Sequence, residues 1–365
     1  MTLVHDYLLV LRGAERTFGA IADAYPGAPV FTLLYDEQGT RGRFAGREIT
    51  TSLVQRLGAR QSNFRRLLPL YQPAVERLRL APAEVVLSSS SAFAHGIRPP
   101  AGALHVCYCH APFRYAWTER ERALGEVPRP LRGALALQLA RMARWDLRAS
   151  RRVDRYVANS KVTQERIRRI YGRESTIIHP PVETDRFAPG EPGERLLVVA
   201  ELVNHKRVHV ALEGARRAGA PIQVVGSGPD EQALREAYPE AQFLGRADDA
   251  ELAELYAGAL AVIVPGIEEF GITAVEAQAA GRPVIAAAAG GALETVLDGE
   301  TGLLATPDDP DSFATAIQAL PRLSFDPARA IAHADGFSVA RFQERLRAFV
   351  EEALAEARAQ RTGAG

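Results

Sequence analysis

Long apolar runs are missing from this sequence of 365 residues. No stretch of about 18 apolar residues occurs, which excludes a membrane-spanning helix. The two cysteines, Cys107 and Cys109, are too few for a disulfide-stapled scaffold. They lie on one face of a predicted strand, where a bridge is awkward, so we predict buried free thiols. The opening residues MTLVHDYLLVLRG lack the basic segment and apolar run of a secretory signal, and we predict none.

Lysine and net charge are also scarce. The 44 basic residues equal the 44 acidic ones in number, and every basic residue except Lys161 and Lys206 is arginine. Residues 1–180 hold 28 basic and 15 acidic side chains, a net +13, whereas residues 181–365 hold 16 and 29, a net −13. Halves of opposite charge predict two domains, and the basic half indicates an anionic ligand or surface.

Short apolar runs alternate with amphipathic stretches through both halves. This order is typical of parallel sheets with helices on both faces, so we predict an α/β fold of two doubly wound domains. Ligands of such sheets bind beyond the carboxyl ends of the strands, so we expect the active site in a cleft where the two domains face each other. The predicted strands are Leu3–Tyr7, Pro29–Tyr35, Glu84–Ser88, Leu104–Cys109, Arg155–Asn159, Thr176–His179, Leu196–Ala200, Ile222–Gly226, Ala241–Leu244, Ala259–Pro265 and Pro283–Ala286.

A segment rich in proline, glycine and charge, HPPVETDRFAPGEPGE, separates the two halves. We predict an amino-terminal domain over residues 1–180 and a carboxy-terminal domain over residues 181–336. Residues 337–365 are predicted to form a last helix with a frayed tail, because Phe342, Leu346 and Phe349 recur there at helical spacing behind a cap at Ser338.

The segment VPGIEEFGITAVEAQAAGRPVIA carries the strongest chemical signal. An apolar strand leads into a loop with Glu268, and a helix is predicted to begin at Ile272. Gly271 lets the backbone approach a ligand closely, and the free N–H groups of the helix start can bind an anion. Glu276 on this helix can accept paired hydrogen bonds from the vicinal diol of a ribose or hexose. The alternative is that both glutamates only occupy a helix N-terminus.

Two upstream segments add candidate residues. LLVVAELVNHKRVHVALEGA places Lys206 and Arg207 in the loop between a strand and a helix. A lysine in a chain that otherwise uses arginine indicates a site that needs a compact point charge. The segment VVGSGP predicts a tight turn around Gly226.

These segments together resemble the donor site of the retaining glycosyltransferases of family 4, which have the GT-B fold. The resemblance implies two Rossmann-like domains and a last helix that packs back on the first. It implies that Glu268 contacts the transferred hexose, Glu276 the ribose hydroxyls, and Lys206 the donor phosphate. The other implied donor contacts are the backbone of Phe270, Gly271 and Ile272, the side chain of Arg207, and the turn at Gly226. Many family members carry arginine where this chain has Glu201, which leaves the second phosphate contact to Arg207.

The first half carries the acceptor side of the same resemblance. In LVHDYLLVLRGAERTF, Gly13 matches the first glycine of the family's Gly-Gly pair and Ala14 replaces the second. In HVCYCHAPFRYAWTE, His110 falls on the family's histidine, which implies a position beside the anomeric carbon of the donor. Arg114 is expected to meet the acceptor phosphate. For His110, the alternative is a histidine that caps a turn at the end of a strand.

Other polar residues at predicted strand ends suit structural roles equally well. His5 and Asp6 end the first strand, and Asn159 precedes Ser160, which can cap the next helix. The sequence DPD at 309–311 is predicted to cap a late helix and not to bind a metal.

The implied reaction is hexosyl transfer with retention and needs no metal and no cofactor; the nucleotide sugar is a co-substrate. Lys206, Arg207 and helix N-termini would neutralise the leaving diphosphate. Retention without a nucleophilic carboxylate fits front-face attack. The chain opening resembles the subgroup with bacterial O-antigen mannosyltransferases, which favours GDP-mannose as donor and a lipid-linked saccharide as acceptor. A UDP-hexose donor is one alternative, and a non-catalytic partner subunit, favoured by Glu201 and Ala14, is another.

The basic half contains a possible membrane surface. Four arginines fall within about 80° of helical arc: Arg141, Arg144, Arg148 and Arg152. An apolar stripe adjoins them, and the segment NFRRLLPLYQPAVERLRL mixes arginine with leucine. This pattern has two equally good interpretations. One is a helix that packs against the core and has a solvated edge. The other is a surface that contacts anionic lipid, where a polyprenyl-diphosphate-linked glycan would lie. We expect a cytoplasmic enzyme, peripheral on the inner face of the plasma membrane, and no nucleic-acid partner.

Overall fold

The computed structural model describes residues 1–58, 61 and 63–363. It divides into two compact units. The amino-terminal unit is Met1–His179 with Gln343–Gly365, and the carboxy-terminal unit is Pro180–Phe342. Each unit holds one parallel sheet, so the predicted fold class of two doubly wound α/β domains is confirmed.

In the described part of the amino-terminal unit, seven parallel strands form the sheet. They are β1 (Thr2–Leu8), β2 (Val30–Tyr35), β3 (Ile49–Thr51), β4 (Val85–Ser90), β5 (Leu104–Cys109), β6 (Arg155–Ala158) and β7 (Ser175–Ile177). Their order across the sheet is β3-β2-β1-β4-β5-β6-β7. The edge strand β3 was not predicted, because three residues are too few for a recognisable alternation.

Helices cover both faces of this sheet. They are α1 (Gly13–Ala24), α2 (Leu68–Glu76), α3 (Arg120–Gly125), α4 (Arg129–Ala149) and α5 (Lys161–Tyr171). The central strands β4 and β5 are buried at every residue, as expected for strands that have helices on both sides. The predicted cap of α5 is confirmed, since the hydroxyl of Ser160 accepts a hydrogen bond from the N–H of Thr163.

The apolar core of this unit explains its two thiols. Cys107 and Cys109 in β5 are buried free cysteines, as predicted, and pack against Val153, Tyr156 and Ile167. Burial raises the pKa of the Cys107 thiol to about 12, so it stays protonated at neutral pH.

The described part of the carboxy-terminal unit contains a six-stranded parallel sheet. Its strands are β8 (Leu196–Val199), β9 (Ile222–Val225), β10 (Gln242–Gly245), β11 (Ala261–Val264), β12 (Val284–Ala287) and β13 (Gly302–Ala305). Their order is β10-β9-β8-β11-β12-β13. The edge strand β13 was not predicted, because its sequence, GLLA, contains no β-branched or aromatic residue.

Seven helices accompany this sheet: α6 (Val208–Ala218), α7 (Glu231–Ala237), α8 (Asp249–Ala257), α9 (Ile272–Ala279), α10 (Ala292–Thr295), α11 (Pro310–Ala319) and α12 (Pro327–Asp335). The predicted start of α9 at Ile272 is confirmed. The DPD segment caps α11 as predicted, because the Asp309 carboxylate accepts hydrogen bonds from the N–H groups of Asp311 and Ser312.

The last helix, α13 (Val339–Gly363), begins in the carboxy-terminal unit and continues from Gln343 in the amino-terminal unit. The N–H of Val182 donates to the carbonyl of Phe337, 2.9 Å away, which attaches the segment before the helix to the carboxy-terminal unit. Further along, the Gln343 side chain donates to the Ala20 carbonyl at 2.9 Å. Among the described residues, no helix is both long enough and apolar enough to cross a membrane.

Candidate active site

The chain reverses its direction of travel across each sheet at the central strand pair. In the amino-terminal unit this happens between β1 and β4, and in the carboxy-terminal unit between β8 and β11. Crevices beyond the carboxyl ends of such pairs are the usual ligand sites of doubly wound sheets. The predicted residues follow these strands in both units, so the candidate residues of each unit are described separately, as its half of the prediction.

The centre of the carboxy-terminal half is an ion pair. Lys206 follows β8, Glu268 follows β11, and the Lys206 Nζ lies 2.7 Å from Glu268 Oε1. Both side chains are about a quarter exposed, at 27% and 25%. A ligand can therefore reach the pair, and a group carrying more negative charge than one carboxylate would compete for Lys206.

Glycines allow the loops of this half to pack closely. A Cβ on Gly266 would lie 3.1 Å from the Cα of Lys206, so a side chain there would crowd the Lys206 backbone. Gly290 and Gly291 after β12 contact the backbone of Glu268 and Phe270, and the N–H of Gly291 donates to the Glu268 carbonyl at 2.8 Å. The position of the Glu268 carboxylate thus depends on close backbone contacts.

Glu276 on α9 is oriented by a buried tyrosine. The hydroxyl of Tyr256 on α8 donates to Glu276 Oε2 at 2.8 Å, and its ring packs edge-on against Phe187. Burial raises the pKa of Tyr256 well above its usual value, and the charge of Glu276 adds to this effect, so Tyr256 remains a donor. The bond from Tyr256 thus holds the Glu276 carboxylate in one orientation.

The backbone around α9 has the conformation expected for close ligand approach. Gly271, the residue before the helix, has a φ of 90°, which a side chain would disfavour, and Ile272 is the first helical residue. Phe270 is buried and packs edge-on against Phe337, with ring centroids 5.4 Å apart. At the β9 turn, Gly226 has a φ of 137° and leaves no space for a Cβ beside the Ala200 carbonyl.

Arg207 points to a different partner. Its Nε lies 2.8 Å from Asp308 Oδ1, and the guanidinium also donates to Asn204 at 3.1 Å. Glu201 is exposed in the same loop. Arg207 therefore follows Lys206 in the chain, but its guanidinium forms an ion pair with the Asp308 carboxylate.

The amino-terminal half is organised by a serine between two histidines. His110, directly after β5, has its Nε2 2.9 Å from the hydroxyl of Ser89 on β4. The same hydroxyl lies 3.1 Å from Nδ1 of His5 on β1. Ser89 and His5 are buried, whereas His110 is only partly buried.

Both imidazoles are neutral at physiological pH. Burial, together with the nearby charge of Arg114, lowers the pKa of His110 to about 4. Burial, together with the charge of His110, lowers the pKa of His5 to about 3. A neutral imidazole has one nitrogen that donates a hydrogen bond and one that accepts. Each nitrogen of His110 can therefore either donate or accept, but not both.

Asp6 holds the loop that follows β4. Its buried carboxylate accepts hydrogen bonds from four consecutive N–H groups: Ser91, Ala92, Phe93 and Ala94, at 2.5, 3.0, 2.8 and 2.6 Å. Burial raises the pKa of Asp6, and these N–H groups oppose the rise. Asp6 therefore has a structural role, which was one of its two sequence-based interpretations.

The start of α1 differs from the expected phosphate site. Gly13 is its first residue, but the carboxylate of Glu15 accepts a hydrogen bond from the N–H of Arg12 at 3.0 Å. Burial raises the pKa of Glu15 to about 7. The N–H of the N-cap residue is therefore bound by the chain's own carboxyl group. Arg114 lies in the turn after β5, 3.6 Å from Glu119 and about half exposed.

The structure thus brings Lys206, Glu268 and the start of α9 together, and separately brings His110 to Ser89 and His5. Sequence reasoning missed Ser89 and Tyr256. Ser89 lies in a run of four serines at 88–91 that ends a predicted strand, and this run was the available signal. Tyr256 had none, because its contact with Glu276 depends on the packing of α8 against α9.

Two family models match the chain. Residues 11–186 match the model described as Glycosyltransferase Family 4, and residues 193–322 match the one described as Glycosyl transferases group 1. Solved structures agree on the GT-B fold. The Anabaena protein HepE, crystallised with UDP, is 18% identical, covers 96% of this chain and 100% of its own, and has a TM-score of 0.70. Sucrose-phosphate synthase from Thermosynechococcus elongatus is 17% identical over 98% of this chain and 100% of its own, with a TM-score of 0.69.

Curated relatives are similar over part of the chain. The D-inositol 3-phosphate glycosyltransferase of Geodermatophilus obscurus is 35% identical over 53% of this chain and 51% of its own length. The enzyme of the same name from Nocardia farcinica is 33% identical over 58% and 55%. The chain spans about half the length of these relatives. They are named for inositol phosphate and not for the mannosyl transfer of O-antigen synthesis that the sequence resemblance favoured.

Proposed function

We propose that this chain, which carries a family 4 glycosyltransferase domain and a group 1 glycosyltransferase domain, transfers a hexose from a nucleotide sugar to an acceptor hydroxyl with retention of configuration. The observation that supports this most directly is the Lys206–Glu268 pair of 2.7 Å beside the start of α9. A cation, a carboxylate and a helix N-terminus that follow neighbouring strands match the phosphates and hydroxyls of such a donor.

The donor diphosphate would take Lys206 from Glu268. It carries more than one negative charge, so it binds the ammonium more strongly than one carboxylate does. Glu268, released from the lysine, can then accept hydrogen bonds from hydroxyls of the hexose. Glu276, held by Tyr256, accepts from the ribose diol. The backbone N–H groups of Phe270, Gly271 and Ile272 complete the cradle of sugar and diphosphate.

The chemical step is a front-face displacement. The bond between the anomeric carbon and the diphosphate oxygen breaks, and the acceptor oxygen bonds to the same face of that carbon. The acceptor proton passes to the leaving diphosphate. Lys206 and the start of α9 stabilise the negative charge that develops there, which makes the proposed step independent of a metal ion and of a cofactor. His110, whose imidazole is neutral, is the residue that the family resemblance assigns to the hexose.

Two donors are candidates. The sequence resemblance favours GDP-mannose. A UDP-hexose is favoured by the fold neighbour HepE, which was crystallised with UDP and with UDP-glucose. The two nucleotides differ in their base. The turn at Gly226 is proposed to flank the base and would therefore distinguish them.

The acceptor is proposed to be a polyol that carries phosphate. The curated relatives are named for inositol 3-phosphate, and the sequence resemblance favours a polyprenyl-diphosphate-linked or other lipid-linked glycan. Phosphate is common to both classes, and Arg114, about half exposed after β5, is the proposed phosphate contact.

A basic and apolar surface of the amino-terminal unit supports the lipid-linked class. Leu53, Leu57 and Leu70 are 68%, 59% and 41% exposed, and they line an open groove of about 1080 Å³ with Arg77 and Arg79. On α4, Arg141, Arg144 and Arg148 are exposed while Leu139, Met142 and Trp145 are buried. Arg152 does not belong to this row of exposed arginines, because it lies beyond the end of α4 and forms an ion pair with Glu76. Sedimentation with vesicles that contain or lack anionic lipid tests this surface, and binding independent of lipid charge would contradict it.

The donor is tested by thermal stabilisation, since a ligand that binds only the folded state raises its melting temperature. GDP-mannose, UDP-glucose and UDP are added separately, and hydrolysis of the bound sugar nucleotide is followed in parallel. We expect stabilisation by one nucleotide class, lost in Lys206→Met and Glu276→Gln. Arg235→Gln, which removes an exposed arginine on α7, is the matched control and should keep it.

The non-catalytic alternative predicts a different result. A partner subunit would bind none of these donors and hydrolyse none. Two observations favour it: Glu201 is exposed in the loop that carries Lys206, and the Glu15 carboxylate lies at the start of α1. Absence of stabilisation by every nucleotide and sugar nucleotide would replace the proposed enzyme with this alternative.

A further inference from the structure

Residues 290–295, which comprise Gly290, Gly291 and α10, contact both elements that carry the two glutamates of the carboxy-terminal unit. We call them the α10 segment. The helix itself is only four residues long. The first N–H groups and the last carbonyls of a helix have no partner within it, so a helix of this length depends on its neighbours for hydrogen bonds. The contacts with those neighbours therefore fix the position of the α10 segment.

The first contact is with the loop of Glu268. The N–H of Gly291 donates to the Glu268 carbonyl at 2.8 Å. A Cβ on Gly291 would overlap the backbone of Phe270, so the two backbones lie closer than a residue with a side chain allows. A movement of the α10 segment would therefore move the loop of Glu268.

The second contact is with α9, through Gln278. This side chain is fully buried, and its Nε2 donates to the Thr295 carbonyl at 2.7 Å and to the Ala274 carbonyl at 2.9 Å. Both partners are carbonyl oxygens, so only the amide nitrogen can face them. Since Thr295 is the last residue of α10, this bond satisfies a carbonyl that the helix end leaves open.

The hydroxyl of Thr295 completes a chain of bonds through the α10 segment. It is buried and donates to the Gly291 carbonyl at 3.1 Å. Hydrogen bonds therefore run without interruption from Gln278 on α9, through the α10 segment, to the backbone of Glu268. Glu276 lies two residues before Gln278, about 200° away around the axis of α9. Gln278 thus supports α9 on the side roughly opposite to Glu276.

We propose that Gln278 and Thr295 are positioning residues that hold Glu268 in a fixed place relative to Glu276, so that the two carboxylates can bind one nucleoside diphosphate hexose at the same time. This rests on the proposed function, in which Glu268 contacts the hexose and Glu276 the ribose. Both positioning residues are completely buried, so they act through the residues that they hold. Because Glu276 keeps its bond from Tyr256, loss of the chain of bonds should weaken the hexose contact more than the nucleotide contact.

The ion pair of Glu268 provides a readout that needs no ligand. The chain contains only two lysines, Lys206 and Lys161. Lys206 pairs with Glu268 at 2.7 Å, and Lys161 in the amino-terminal unit serves as the internal reference. Lysine labelled with ¹³C at Cε therefore gives two NMR signals, and that of Lys206 is identified by its loss in Lys206→Met.

The Lys206 signal in Glu268→Gln marks the position expected without the ion pair. We expect Gln278→Met and Thr295→Val to move the Lys206 signal toward that position, because the loop of Glu268 is no longer held. Thr295→Ser, which keeps the hydroxyl, should return the signal to its wild-type position. An unmoved Lys206 signal in both Gln278→Met and Thr295→Val overturns the proposal.

A second buried threonine of the same unit supplies the matched control. Thr301 is as buried as Thr295, and its hydroxyl accepts a hydrogen bond from the N–H of Leu297 at 2.9 Å. Thr301→Val removes a comparable buried bond and leaves the chain of bonds to Glu268 complete. It should lower the melting temperature as Thr295→Val does and leave the Lys206 signal in place. An equal displacement of the signal in Thr301→Val would reduce the effect to general destabilisation and overturn the proposal.

The second readout compares each bare nucleotide with its sugar nucleotide by titration calorimetry: GDP with GDP-mannose, and UDP with UDP-glucose. The ratio of the two Kd values isolates the hexose contact. We expect Gln278→Met to lower the preference for the sugar nucleotide about 5-fold and to change the Kd of the bare nucleotide less than about two-fold. In a Glu268→Gln background, Gln278→Met should have no further effect on the ratio, since both changes act on one contact.

Equal weakening of nucleotide and sugar nucleotide, or additive effects of the two substitutions on the ratio, overturns the inference alone. If the wild type binds neither the nucleotides nor the sugar nucleotides, the proposed function fails. The Lys206 signal then still decides whether Gln278 and Thr295 hold Glu268.

Discussion

The two units place their candidate residues by different means. Of 22 buried polar or charged side chains among the described residues, 17 lie in the amino-terminal unit and 5 in the carboxy-terminal unit. The first unit fixes its side chains with buried hydrogen bonds, as at Asp6 and Ser89. The second fixes its loops with glycines that permit close backbone contact, as at Gly226 and Gly291.

This difference follows from what each unit has to present. Backbone N–H groups bind phosphate when the chain itself comes close to the ligand, which requires residues without a side chain. A side chain such as His110 must instead be held in one rotamer and one protonation state, which requires partners with matching donors and acceptors. The two units should therefore respond to different perturbations.

The largest effect is expected when a glycine of the second unit gains a methyl group. Gly226→Ala adds a Cβ that would overlap the Ala200 carbonyl, in a backbone conformation with a φ of 137°. Strain and overlap together should lower the free energy of unfolding by about 3 kcal/mol or more, measured by urea denaturation with circular dichroism. Gly219→Ala is the control, since Gly219 has a φ of 66° but no described atom within 4 Å of an added Cβ. It should lose about 1 kcal/mol, and equal losses would contradict the role of close contact.

The first unit should be the more sensitive to acid. Burial lowers the pKa of His5 and His105 to about 3 and that of His110 to about 4. Unfolded histidine titrates near 6.5, so between pH 7 and pH 5 the unfolded chain binds more protons than the folded chain. Each of these histidines should therefore lower the free energy of unfolding by about 2 kcal/mol over that interval.

Tryptophan fluorescence can report this loss, because both tryptophans of the chain, Trp117 and Trp145, lie in the amino-terminal unit. Burial raises the pKa of Glu15 to about 7, so the folded chain takes up a proton there between pH 7 and pH 5. This raises the free energy of unfolding by about 2 kcal/mol over that interval and offsets the effect of one histidine. The sharper measurement is thus a comparison: His105→Asn should lose about 2 kcal/mol less than the wild type between pH 7 and pH 5. Parallel pH dependences would show that His105 is not held neutral.

An intermediate effect is expected at the side-chain hydrogen bond between Tyr256 and Glu276 in the second unit. Tyr256→Phe removes the donor to Glu276. A hydrogen bond to a carboxylate contributes about 1.5 kcal/mol, so the KM for the donor should rise roughly 10-fold with little change in kcat. Tyr238→Phe removes a weaker bond to a backbone carbonyl in the same unit and should leave KM unchanged. A fall in kcat without a change in KM would assign Tyr256 another role.

The smallest effect is expected at Arg207. Asp308→Asn removes an exposed ion-pair partner and retains a residue that tolerates a positive φ, here 59°. The free energy of unfolding should change by less than about 0.5 kcal/mol, and the released Arg207 should lower the donor Kd about two-fold. Asp311→Asn, at the exposed pair with Arg217, should leave the Kd unchanged. If both variants bind the donor equally, Arg207 has no part in the site.

Sequence reasoning reached further in the second unit than in the first. The start of α9 at Ile272 could be predicted, because Gly271 and the apolar strand before it are local signals. The edge strands β3 and β13 could not, since both are short and one is partly exposed. Neither could the partner of His110, because Ser89 is brought to it by strand register over 21 residues. Contacts that depend on register between strands leave almost no trace in local sequence.

The path of α13 determines when each unit can be completed during synthesis. The carboxy-terminal unit ends at Phe342, whereas the amino-terminal unit still lacks the stretch from Gln343 onward, whose side chains bind the carbonyls at the end of α1. The part of the protein translated first is thus finished last. On the ribosome, α1 can gain its contacts with α13 only after the whole second unit has been made.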